Sequence, residues 1–93
     1  MTTTTLQELR EQIDAIDEQL VMLFNQRAEI SIKIGQEKKL NAVAWPNIQD
    51  PKREAAILAN IQHHNSGPLT HEQLTELFKG IIAQSRQLQT KNR

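Results

Sequence analysis

The chain has 93 residues, which suits one domain with a modest core. Lys plus Arg and Asp plus Glu balance at 11 each, so no net field draws it to DNA, RNA or an anionic membrane, and any cationic function must be local. There is no cysteine, which excludes disulfide stapling and thiol chemistry, and the only aromatics are Phe24, Trp45 and Phe78, so burial with the help of a second chain is expected.

Residues 1–5 read as a disordered threonine tail with neither a basic n-region nor an apolar h-region, and no apolar run approaches the roughly 20 residues of a membrane span. A cytoplasmic protein is expected. Thr5 with Glu8 forms a capping-box pattern, and a helix is predicted from there to about Leu40. Its apolar residues fall at Leu6, Leu9, Ile13, Ile16, Leu20, Leu23, Ile30 and Ile34, a three-four alternation that marks one buried seam. The position due between Leu23 and Ile30 is Arg27. Its helical neighbours three and four residues away, Leu23, Phe24, Ile30 and Ser31, are not acidic, so a buried Arg27 needs an anion from elsewhere. A structural ion pair or a register-setting role in a coiled coil would also account for one isolated arginine. Gly35 weakens the helix locally, and a break there is the alternative to a continuous element.

Asn41 to Gln49, with Trp45-Pro46 inside it, reads as a loop. Asp50 followed by Pro51 is an N-cap with proline at the first helical position, and the Asn65-Ser66-Gly67-Pro68 cluster ends this second helix. Its stripe is Ile57, Leu58 and Ile61, and Glu54 joins it from three residues before Ile57. Thr70 and Gln73 cap a third helix, in which Leu74, Phe78, Ile81 and Leu88 alternate and Ser85 stands where the pattern demands an apolar residue, with Gln89 stacked four residues on. Local rules broken on all three faces point to a polar cavity inside a helical bundle. The fold class is all-α: a three-helix protomer with a long first helix, one domain over 6–90 and a tail at 91–93.

The first helix sets the assembly. About 35 residues at 1.5 Å each span roughly 50 Å, whereas a compact chain of this size has a radius of gyration of about 12 Å. The overhang needs a cover, and an intertwined two-fold homodimer is the expected solution. Arg27 and Lys38 differ by about 20° around the helix and roughly 16 Å along it, so they can bracket one small ligand. Arg10, about 25 Å below Arg27 and about 100° around, can reach that ligand only from the partner. Competing roles exist: a solvated last-turn lysine for Lys38, pairing with Asp14 for Arg10, pairing with Asp50 for Arg53. His63, His64 and His71 lack a third-ligand pattern and read as solvated, so no metal is expected, and the glycines Gly35, Gly67 and Gly80 form no phosphate loop.

The run Leu9-Arg10-Glu11-Gln12-Ile13-Asp14-Ala15-Ile16-Asp17, then Arg27, Lys38, Asp50-Pro51-Lys52-Arg53-Glu54, and Ile81-Ile82-Ala83-Gln84-Ser85 with Gln89 closely resembles the all-helical chorismate mutases. The resemblance spans Leu6 to Gln89, and it departs from the family in the length of the Asn41 to Gln49 connection. It implies an intertwined homodimer that rearranges chorismate to prephenate in aromatic amino-acid biosynthesis without a cofactor. By the same resemblance Arg27 and the partner's Arg10 clamp the substrate carboxylates with Ser85 assisting, Lys38 and Gln89 donate to the ether oxygen, Glu54 with Asp50 handles the hydroxyl end, and Arg53 supports. Arg27, Lys38, Glu54 and Gln89 are the expected catalytic set. Two other readings are an isochorismate-pyruvate lyase, against which the Asp50 to Glu54 motif and Ser85 speak, and a non-catalytic helical dimerisation module, in which Lys38, Glu54, Ser85 and Gln89 would have no reason to coincide.

Overall fold

The computed structural model describes residues 5–40 and 50–91; the connection 41–49, with Trp45 and Pro46, falls outside the described residues. It consists of three helices, α1 (Leu6–Leu40), α2 (Pro51–His64) and α3 (His71–Lys91). Each begins where a side chain satisfies the orphan amides of a helix start. Thr5 Oγ1 accepts from the Glu8 amide at 3.1 Å, and Asp50 Oδ1 accepts from the Arg53 amide at 3.0 Å with Pro51 in the first turn. At α3 the box is reciprocal: the Gln73 amide donates to Thr70 Oγ1 at 3.0 Å, and the Thr70 amide donates to Gln73 Oε1 at 2.9 Å.

By its internal contacts the chain forms two units, residues 1–30 and 31–93. The first is α1 up to Ile30. Its seam is exposed in the protomer: Leu6, Leu9, Ile13, Ile16, Leu20, Leu23 and Ile30 range from 40% exposed at Leu20 to 62% at Leu6. Among the described residues of one protomer nothing buries the apolar face that the periodicity marks. Arg27 is half-buried and has an interaction partner, while Arg10 and Asp14 are exposed.

The second unit holds the rest of α1 with α2 and α3. The turn between α2 and α3 is tied by Asn65, whose Nδ2 donates to the Leu69 carbonyl at 2.8 Å and whose Oδ1 accepts from the Gly67 amide at 2.9 Å. Gly67 has φ +80, a left-handed conformation that favours glycine. Contacts at both ends show that α2 and α3 run antiparallel: Glu54 meets Arg86, and Gln62 Nε2 donates to Thr75 Oγ1 at 3.3 Å. Between these ends Ile57, Leu58 and Ile61 of α2 and Leu74, Phe78 and Ile81 of α3 are half-buried, as their spacing predicted, and among the described residues Ile82 is the most buried apolar side chain at 6% exposed. Gly35 does not break α1. It is buried, as is Ser31 one turn earlier.

Candidate active site

The polar groups gather at the last turns of α3. From the α1 side, Lys38 Nζ donates to Gln89 Oε1 at 2.9 Å across a half-buried contact. One turn before Lys38, Gly35 lies directly against the backbone of Gln89. From the α2 side, Glu54 Oε2 accepts from Arg86 Nη1 at 3.0 Å, with the two side chains 27% and 31% exposed. Ser85, four residues before Gln89 and therefore on the same helical face, is half-buried and also engaged.

The Lys38 to Gln89 contact fixes an orientation. A glutamine amide has one acceptor oxygen and two N–H donors, and with Oε1 turned to an ammonium, both Nε2 protons remain for another acceptor. The ammonium retains two further donors of its own. Two adjacent groups, a neutral amide and a cation, thus offer hydrogen bonds to one acceptor while being held in place by each other. That arrangement can stabilise negative charge on an oxygen, and it offers no nucleophile.

The structure brings together Lys38 and Gln89 of the residues singled out in the sequence. Asp50 and Glu54 share the first turn of α2, but Asp50 is occupied as the N-cap and exposed, and the Arg53 side chain is exposed. Lys38, Asp50, Arg53, Glu54, Ser85 and Gln89 belong to the second unit, and Arg10 and Arg27 to the first. The partner of Glu54, Arg86, was not anticipated. The stripe Leu74, Phe78, Ile81, Leu88 omits Ile82, and Arg86 lies one turn beyond Ile82. Placing Ile82 on the buried face would have put Arg86 there too. Among the described residues no group of three or more His, Asp or Glu side chains could hold a metal ion, and no helix is long and apolar enough to cross a membrane.

The described residues thus form an all-helical protein in which a lysine–glutamine hydrogen bond and a glutamate–arginine ion pair meet the last turns of α3. The chain belongs to the chorismate mutase type II family, whose model matches residues 9–90. It is similar to bifunctional chorismate mutase/prephenate dehydratases: 32% identical over 83 residues to that of Stutzerimonas stutzeri, covering 84% of this chain and 22% of the relative. The protein of the same description from Neisseria gonorrhoeae is 37% identical over 75 residues, covering 81% of this chain and 19% of the relative. The Pseudomonas aeruginosa protein is 35% identical over 80 residues, 84% and 22% respectively. The chain therefore spans about a fifth of the length of these relatives.

Proposed function

We propose that this protein is a chorismate mutase, rearranging chorismate to prephenate in aromatic amino-acid biosynthesis in the cytoplasm, as an intertwined homodimer built from a single domain over residues 6–90. The observation that carries the reading is the Lys38–Gln89 donor pair joining α1 to α3 at 2.9 Å, in a chain of this family.

The reaction is an intramolecular Claisen rearrangement: the ether C–O bond breaks as a C–C bond forms, the electrons move in a six-membered ring, and no proton, hydride or leaving group departs. Catalysis then consists of selecting the folded conformer and stabilising the oxygen as it gains negative charge. Arg27 and Arg10 of the partner subunit clamp the two carboxylates, and Ser85 assists. Lys38 and the free Nε2 donors of Gln89 converge on the ether oxygen. Glu54, with Arg86 on Oε2, receives the substrate hydroxyl on Oε1, and Asp50 and Arg53 support that end from the first turn of α2. An acceleration of about a million-fold needs about 8 kcal/mol, and one well-placed donor contributes about 3 to 4, so two donors and conformer selection suffice.

The dimer is supported by the exposed stripe from Leu6 to Ile30, an apolar face far longer than a monomer in water tolerates and one that two-fold pairing covers. The test mixes purified protein with chorismate, following loss of its absorbance and formation of prephenate, with sedimentation run in parallel. No turnover of chorismate refutes the mutase; pyruvate release from isochorismate instead identifies a lyase; a dimer inert to both is a dimerisation module; and a monomer refutes the shared site.

A further inference from the structure

We propose that Gly35 is a positioning residue for Gln89, setting the distance between α1 and α3 at which the donor pair forms; the inference rests on the mutase reading above. A Cβ at position 35 would lie 2.8 Å from both the Cα and the carbonyl oxygen of Gln89 and 3.2 Å from its carbonyl carbon. These are backbone atoms, so no change of rotamer relieves the contact, and the two helices would have to part or rotate. Ordinary contact begins near 3.4 Å, a displacement of about 0.6 Å.

The residue that would be displaced is the one whose side chain accepts from Lys38 Nζ at 2.9 Å, one turn further along α1. Gln89 is thus held twice by the same helix, its backbone against Gly35 and its amide on Lys38. A shift of about 0.6 Å carries such a bond to the limit of hydrogen-bonding distance and moves Nε2 away from the acceptor it serves. Helix formation alone does not favour glycine here, since alanine is the better helix former and position 35 lies within α1. Gly80 in α3 is the contrast: nothing lies within 4 Å of its added Cβ.

The experiment compares Gly35→Ala with Gly80→Ala in the full-length protein, alone and in a Gln89→Ala background. Gly35→Ala should lower kcat by about ten- to a hundredfold with KM within about threefold, because the donors act on the oxygen that gains charge. Helical circular dichroism should be retained, and Gly80→Ala should match the wild type. In the Gln89→Ala background, Gly35→Ala should change kcat by less than about twofold, the two substitutions removing one effect. Wild-type kcat in Gly35→Ala, a full additive loss in the Gln89→Ala background, or unfolding of Gly35→Ala each overturns the proposal, the last because it would make Gly35 a residue of the fold alone. Failure of the mutase reading is separate: if the wild type does not turn over chorismate, the side-chain amide resonance of Gln89 still reports the geometry, and it should move in Gly35→Ala and stay in Gly80→Ala. An unmoved resonance overturns the positioning role independently of activity.

Discussion

Replacing Gln89 by glutamate changes one atom pair in the donor site and leaves its shape, so the consequence can be followed from the structure. In the native protein Oε1 accepts from Lys38 at 2.9 Å and Nε2 donates, at any pH. An ionised carboxylate in its place keeps the bond to Lys38, now charge-assisted, but has no proton for the ether oxygen and draws on the positive charge that Lys38 would have directed there. Loss of one such donor costs about 100- to 1,000-fold in kcat. Protonation of the carboxyl restores an O–H donor, so Gln89→Glu should be most active at low pH and lose about tenfold per unit as pH rises above the carboxyl pKa, which starts from about 4.3. The decline should end in a floor about two to three units above that pKa, where Lys38 acts alone. The ammonium at hydrogen-bonding distance favours the ionised form and moves the whole curve toward lower pH. The assay is kcat/KM for both proteins from mildly acidic to alkaline pH, with circular dichroism at every point; the wild type should be comparatively flat. A glutamate variant that is fully active and indifferent to pH would remove Gln89 from the donor role and leave Lys38 as the only candidate.

Arg86→Ala should reduce kcat/KM several-fold by releasing Glu54, while costing less than about 1 kcal/mol of stability in urea denaturation, since the pair is partly solvated and screened by salt; unchanged kinetics would make the ion pair purely structural. Arg10→Ala and Lys38→Ala homodimers should each be nearly inactive, but unfolding and refolding them together should restore about a quarter of the sites by random pairing of two chains. No recovery, with heterodimers verified by mass, would show that Arg10 does not act across the interface. Thr70→Ala removes the hydroxyl that accepts from the Gln73 amide, leaves the backbone amide of position 70 free to donate to Gln73 Oε1, and should cost about 1 kcal/mol with kcat unaltered. An unshifted denaturation midpoint would mean that solvent satisfies the Gln73 amide equally well.

The helix starts were legible from local sequence because the interactions that make them are local: Thr5 with Glu8, Asp50 with Pro51, and Thr70 with Gln73 lie within one turn of each other, and the structure forms each of them. The polar interruptions at Glu54, Ser85 and Gln89 were visible for the same reason, as departures from a short apolar period. Periodicity also revealed that α1 has an apolar face, but a period carries no information about what covers that face, and in the protomer it is exposed from Leu6 to Ile30. The pairing of Glu54 with Arg86 and the contact of Gly35 with Gln89 join residues 32 and 54 positions apart, so they depend on the register in which α3 lies against its neighbours. No local preference sets that register. In sequence Gly35 is a weak point in a helix; only the approach of the Gln89 backbone to within 2.8 Å of its missing Cβ turns that weakness into the condition for bringing Lys38 and Gln89 together.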